Sequence, residues 1–262
     1  IKLKMIKINK LVNLKGKKVL ITGASGHLGR EIVSTLYGLG ATLYLTDISK
    51  EALSIFDKKK YSRIIKIPCD LSKESERKLL IKKIKKLDIL INNAAYVGTS
   101  KLKGWNTKFA NQSLETWRQA MEVNLTAPFH LIRDFSTLLK KGNNPSVINI
   151  SSIYGYVAPD YTIYKNTKIY NIAAYATSKA GINQLTKWSA ATLAPKVRVN
   201  TISIGGIYRN QNKKFVKNYN SKTFLNRMAK ESDIMGGVIF FASDLSKYVT
   251  GKNLFIDGGF TV

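Results

Sequence analysis

The sequence predicts an α/β fold: a doubly wound, Rossmann-type parallel sheet of about seven strands flanked by helices, in a single domain over residues 1–262. Three observations predict it. Short apolar runs recur without polar alternation, as strands buried on both faces require. Segments of helical periodicity lie between them. The chain of 262 residues is long enough for one substantial core.

In order, KKVLIT at 17–22 reads as the first strand, followed at once by a glycine loop and an apolar helix from about Leu28 to Leu39. ATLYLTD, RIIKIPCD, LDILINN, SVINISS, VRVNTIS and NLFID read as the six later strands. LLIKKIKKL at 79–87 carries Leu80, Ile84 and Leu87 at helical spacing, and LETWRQAMEVNLTAPFHLIRDFSTLL reads as one long helix. Another helix begins near Ala173. The lysine-rich segment before Val12 is expected to be a disordered tail. Two connections, 97–113 and 153–173, exceed ordinary loop length. Both follow carboxyl ends of strands, where such sheets bind ligands.

The 43 Lys and Arg against 16 Asp and Glu give a formal charge of +27. Because the lysines are spread along the chain as solvated helix faces, a nucleic-acid partner is not expected, and neither is a membrane. Weak attraction of anionic small molecules is. The one cysteine, Cys69, excludes an intramolecular disulfide, and with two histidines, His27 and His130, no metal is expected. No apolar run is long enough to span a bilayer, and lysines interrupt any signal-peptide core, so a cytoplasmic location is expected.

TGASGHLG at 22–29 sits at the first strand-to-helix turn. Glycines at 23, 26 and 29 allow a tight turn, close approach of a pyrophosphate and close helix packing, and the helix N-terminus offers free N–H groups to phosphate. The next strand ends in Asp47, where a carboxylate can accept from adenosine ribose hydroxyls and repel a 2′-phosphate. That predicts NAD over NADP, although Lys50 and Arg30 are near in sequence. Asp47 as a cap for a helix near Ser49 is the plainer alternative. Asp70 could face the adenine, and Ser72 with Glu74 and Glu76 marks a helix start.

In AAYATSKAG, Tyr175 and Lys179 are four apart and share a helix face. A unit charge at about 4 Å and an effective dielectric near 20 favours phenolate by roughly three pKa units. That would bring Tyr175 into acid–base range, with a hydroxyl from Ser151 or Ser152 to hold a substrate oxygen.

Taken together, TGASGHLG, the acidic end of the second strand, Asp70–Leu71, NNAA at 92–95, VNLTAPF at 123–129, INISS at 148–152, YATSK at 175–179 and DGG at 257–259 resemble the short-chain dehydrogenase/reductase family from about residue 13 onward. The resemblance implies a catalytic tetrad of Asn124, Ser152, Tyr175 and Lys179. Tyr175 would be the acid–base, Ser152 would polarise the substrate oxygen, Lys179 would lower the tyrosine pKa and hold the nicotinamide ribose, and Asn124 would anchor a relay water. It implies NAD, with NADP second, held by Gly23, Ser25, Gly26, His27, Leu28, Gly29, Asp47, Asp70, Leu71, Asn93, Ala94, Ala95, Tyr175, Lys179, Gly205, Ile207 and Arg209. A homodimer or homotetramer built through the long helices is implied as well.

The chain departs from the family pattern in informative places. The glycine spacing is that of the larger epimerase-like branch, with His27 where a glycine often stands, and NNAA replaces NNAG. Ile204–Gly205 replaces Pro-Gly, and Arg209 stands where a threonine commonly meets the cofactor; Ile207 is still expected to offer its backbone to the carboxamide. The Ser152-to-Tyr175 gap holds a tyrosine-rich insertion, read as an enlarged lid. GWNTKFANQSLETW, that insertion and GGIYRNQ also resemble a subgroup found with bacterial flagellin or surface-glycan modification genes, acting on activated or phosphorylated sugars. This implies an anionic sugar derivative as substrate, met by Lys101, Lys103, Lys108 and Arg209. Tyr154 is a further candidate contact, and Trp105 either stacks on a sugar face or packs its loop. Three functions follow: interconversion of a secondary alcohol and a ketone; a non-catalytic dinucleotide-binding sensor or scaffold; and an epimerase or dehydratase using transient oxidation.

Overall fold

The computed structural model describes residues 7–57 and 59–262. Residues 1–6 of the expected tail lie outside the described residues. Within the rest of it, Ile8–Leu11 forms α1, one turn with no buried side chain.

Seven strands form one sheet in the order β3-β2-β1-β4-β5-β6-β7, with every neighbouring pair parallel. They are β1 Lys18–Thr22, β2 Thr42–Thr46, β3 Ile64–Lys66, β4 Ile89–Asn92, β5 Ser146–Ser152, β6 Arg198–Ile204 and β7 Asn253–Ile256. Alternate residues of each strand feed opposite faces. Val19 and Ile21 pack with Ile32, Leu36, Ile234 and Phe241 from α2 (His27–Gly38) and α8 (Glu231–Ala242). Leu20, Leu90 and Val147 pack with Leu80, Leu131, Phe135 and Ala190 from α3 (Glu74–Lys83), α5 (Ala127–Lys140) and α6 (Ala173–Leu193). Each fully buried leucine or isoleucine is worth about 1.5–3 kcal/mol, so both faces hold the sheet. The strand order reverses between β1 and β4, and the crevice outside their carboxyl ends is where this architecture takes ligands.

Two elements differ from expectation. Helix α3 stops at Lys83; Ile84 is extended, and Ile84 and Leu87 reach the core from a connecting segment. The expected long helix is interrupted: α4 (Leu114–Met121) passes into a π-turn at Glu122–Thr126 before α5. π-turns widen the backbone spiral and recur at functional sites. This one contains Asn124.

The small residues of α6 answer a packing demand. A methyl group at Gly181 would lie 2.7 Å from Leu125 of the π-turn, and one at Gly155, beyond β5, would lie 2.6 Å from the Lys179 carbonyl carbon. Only a helix with a thin face can approach this closely, and the approach brings Tyr175 and Lys179 to the end of β5. Among the described residues no helix is long and apolar enough to cross a membrane.

Candidate active site

One large cleft, of about 1060 Å³, opens at the carboxyl ends of the central strands. Its first wall is the glycine loop. Gly23 has φ +63°, and a methyl there would lie 2.8 Å from Ala94 Cα; at Gly29 it would lie 2.1 Å from the Gly23 carbonyl oxygen. Gly26 has only that carbonyl nearby, at 3.3 Å, and it precedes α2 without any side-chain cap, so the first N–H groups of the helix are open to an anion. These features fit a dinucleotide pyrophosphate.

Gly23, Ser25, Gly26, His27, Leu28, Gly29, Asp47, Asp70, Leu71, Asn93, Ala94 and Ala95 all line the cleft. Several also brace it. Asp47 Oδ2 accepts from both the Ser25 N–H (2.9 Å) and hydroxyl (2.6 Å), tying the second strand to the glycine loop. The capping alternative falls instead to Ser49, whose hydroxyl accepts from Ala52 N–H at 3.2 Å. Arg30 Nε donates to the Ser25 carbonyl at 2.6 Å, which keeps that nitrogen on the loop. Asn93 Nδ2 donates to the carbonyls of Thr22 and Gly23 at 2.9 and 3.0 Å, so its side chain holds the loop rather than pointing at a ligand.

Ser152, Tyr175 and Lys179 meet on the opposite wall. The two serines differ in their partners: Ser151 donates to the Lys179 carbonyl at 3.1 Å, whereas Ser152 faces the Tyr175 phenol and accepts from Tyr154 N–H at 3.2 Å. Asn124 lies behind them, buried. Its amide closes on other groups, accepting from Tyr96 N–H (2.8 Å) and donating to the Tyr96 carbonyl (3.1 Å) and Ser178 hydroxyl (3.0 Å).

The electrostatics correct the expected tyrosine activation. Lys179 Nζ donates to the Ile150 carbonyl at 2.7 Å and stands 5.8 Å from the Tyr175 ring centroid. Burial lowers the Lys179 ammonium to about 8 and raises the Tyr175 phenol, a rise that the bond to Ser152 and the charge of Arg209 oppose. Burial dominates at Tyr175 and Lys179 is not among the groups that oppose it, consistent with an ammonium aimed at a carbonyl rather than at the phenol.

At the last position of β6, Ile204 stays in register with Ile256, where a proline would end the ladder. Gly205 and Ile207 line the cleft. The Ile207 carbonyl already accepts from Gln211 Nε2 at 2.8 Å, so of its two backbone groups the N–H is the one left for a carboxamide. Arg209 lines the cleft but is paired with Glu231 at 3.1 Å.

The tyrosine-rich insertion, expected to be a lid, is docked on its neighbours. Its Ile163 packs with Phe215, Tyr219 and Met228, the first two on α7 (Lys213–Asn220), and Asp160 pairs with Lys222 at 2.9 Å. Tyr154 lines the cleft with its hydroxyl 2.5 Å from that of Tyr164. The sequence showed a tyrosine-rich insertion; it did not show that Tyr164 turns inward while Tyr161 and Tyr170 are exposed. Two further observations concern the expected sugar and phosphate contacts. Trp105 lines the cleft but is 2% exposed and donates to the Val97 carbonyl at 2.8 Å, so its ring chiefly packs the loop. Of the expected phosphate ligands, Lys101 and Arg209 line the cleft, while Lys103 and Lys108 stand outside it. Gln112 joins the two long loops, donating to the Asn171 carbonyl at 2.9 Å and accepting from Ala173 N–H at 3.0 Å.

The profile of the family described as enoyl-(acyl carrier protein) reductase, within the short-chain dehydrogenases, matches residues 23–261. The chain belongs to the short-chain dehydrogenase/reductase family. It is thus an NAD(P)-dependent oxidoreductase acting on a CH–OH group. Similar solved structures include a short-chain dehydrogenase from Leptospira borgpetersenii with bound NAD+, at 36% identity and TM-score 0.86, covering 100% of this chain and 98% of that one. Another is the Pseudomonas aeruginosa RhlG/NADP active-site complex, at 26% identity and TM-score 0.84, covering 97% and 99%. Among curated relatives, the post-translational flagellin modification protein A of Campylobacter coli is 29% identical over 256 residues, covering 94% of this chain and 98% of the relative.

Proposed function

We propose that this short-chain dehydrogenase/reductase transfers hydride between NAD and a secondary carbinol carbon of a sugar derivative, using Asn124, Ser152, Tyr175 and Lys179. The observation that carries the reading is the convergence of the Tyr175 phenol, the Ser152 hydroxyl and the buried Lys179 ammonium on one wall of a cleft whose other wall is an uncapped helix N-terminus behind glycines. NAD, when bound, accepts the hydride. Tyr175 would take the hydroxyl proton, Ser152 would orient that hydroxyl, and the Lys179 ammonium, held on the Ile150 carbonyl, would supply positive charge to the same wall. The Asn124 amide is spent on Tyr96 and Ser178, so a relay water would rest on carbonyls of the widened π-turn.

Asp47 favours NAD over NADP, since a carboxylate at the ribose repels a 2′-phosphate. A role in flagellin modification is suggested by the similar Campylobacter coli protein, and a polyhydroxylated substrate is supported by the tyrosine and asparagine lining of the lid side. An anionic group on it would find Lys101 and Arg209. Exposed Trp188 on α6 and Phe129 on α5 support assembly as a dimer or tetramer through those helices, which sedimentation would measure. The test is NAD reduction against sugar phosphates, nucleotide sugars and simple secondary alcohols, with Tyr175→Phe in parallel. Loss of turnover with retained NADH binding supports the reading; near-normal turnover in the variant, or no NADH binding by the parent chain, refutes it.

A further inference from the structure

Arg77 is 2% exposed although it stands on α3, outside the cleft. A guanidinium is tolerated in such a place only when its N–H groups are paired, and its planar fork can serve several directions at once. Here it serves three. Nη1 donates to the Leu71 carbonyl, Nε donates to His130 Nδ1 at 2.9 Å, and Nη2 meets Glu122 Oε1 at 2.7 Å. Because His130 Nδ1 accepts, its Nε2 carries the hydrogen and donates to Asp134 Oδ2 at 3.1 Å, which anchors the arginine to α5.

The other two arms reach two separate segments that border the cleft. Leu71 sits with Asp70 on the turn after β3 and lines the end read above as the adenosine site. Glu122 is the first residue of the π-turn, followed by Val123, which lines the cleft, and by Asn124, whose amide fixes the backbone of Tyr96. We propose that Arg77 is a positioning residue that sets the adenosine wall and the Asn124 turn against one another, so that one buried cation holds the dinucleotide site and the catalytic turn in register. This rests on the dinucleotide reading of the cleft.

The test combines NADH fluorescence titration with amide hydrogen exchange at Tyr96, whose N–H donates to Asn124. It compares the parent chain with Arg77→Met, Arg77→Lys and Glu122→Ala, each checked for folding by circular dichroism. Arg77→Met should bind NADH about tenfold more weakly, as loss of one charged hydrogen bond at the wall allows, and should exchange Tyr96 faster. Arg77→Lys should not restore either property, since an ammonium cannot span three arms. Glu122 is partly exposed, so its alanine variant should fold. It releases only the π-turn, and should speed Tyr96 exchange while leaving the NADH Kd within about twofold. A folded Arg77→Met with parental NADH Kd overturns the proposal, as does Glu122→Ala with unchanged Tyr96 exchange. Failure of the parent chain to bind NADH counts against the dinucleotide reading instead, and the exchange arm still decides the link from Arg77 to Asn124.

Discussion

Lys179 directs its ammonium at the carbonyl of Ile150, 2.7 Å away, from a position that burial makes costly for a cation. Its pKa falls from 10.5 to about 8, which corresponds to roughly 3 kcal/mol of destabilisation at pH 7. The folded chain binds fewer protons at this site than the unfolded chain between pH 8 and 10.5, so the penalty is full below 8 and fades as pH rises to 10.5. Lys179→Met should therefore raise the Tm of the dinucleotide-free protein at pH 7 and lose that advantage by pH 10, while turnover disappears. Denaturation of both proteins at the two pH values checks it; a variant less stable at pH 7 would contradict it.

Tyr175 is raised by burial and lowered by Ser152 and then by Arg209. Oxidation of an alcohol needs the phenolate, so its rate should climb with pH on the alkaline side. Removing a group that lowers the pKa should push this limb to higher pH. Ser152→Ala should shift it upward, and Arg209→Gln should shift it less. A pH–rate profile for each variant reads the shift; a limb that moves downward in either would exclude Tyr175 as the titrating group.

The glycine loop separates packing from binding. An alanine Cβ at Gly29 would sit 2.1 Å from the Gly23 oxygen and 2.8 Å from the Ala24 oxygen, both backbone, so Gly29→Ala should cost about 1–3 kcal/mol or more of stability. Gly26→Ala meets one atom at 3.3 Å and should fold near normally, yet bind NADH at least tenfold more weakly because Gly26 lines the cleft at the uncapped helix N-terminus. Thermal melts and NADH titrations together distinguish the two effects.

Period and punctuation carried the fold: apolar runs without alternation placed all seven strands, and glycine spacing marked the turn at which β1 meets α2. Motif order placed the groups that line both walls. What sequence left open was direction. Spacing puts Tyr175 and Lys179 on one helix face, but whether the ammonium aims at a phenol or at the Ile150 carbonyl depends on β5, which is remote in sequence. Trp105 read equally well as a stacking platform or a loop filler, because that choice depends on Tyr96, Ile172 and Ala174 closing over it. Arg77 gave no signal at all: within a lysine-rich helix it looks like another solvated charge, and its role emerges only when Leu71, Glu122 and His130 converge.

The docking of the lid poses a choice between two contacts. Asp160 is held down to about 2 by Thr162 and then by Lys222, so its charge is complete above pH 4 and is lost only as pH falls toward 2. Between pH 5 and 8 Asp160 keeps its charge, but both side chains of the Asp160–Lys222 pair are partly exposed, and such pairs are worth little. Ile163 is fully buried against Phe215, Tyr219 and Met228, and truncating a buried isoleucine costs about 2–5 kcal/mol. Packing should therefore dominate. Lys222→Met should leave kcat/KM within about twofold. Ile163→Ala should free the lid, raising KM by about tenfold or more with little change in NADH affinity, since the glycine loop lies on the other wall. Steady-state kinetics with NADH titration of both variants settles the order, and a larger effect from Lys222→Met would mean that charge, not burial, keeps the lid closed.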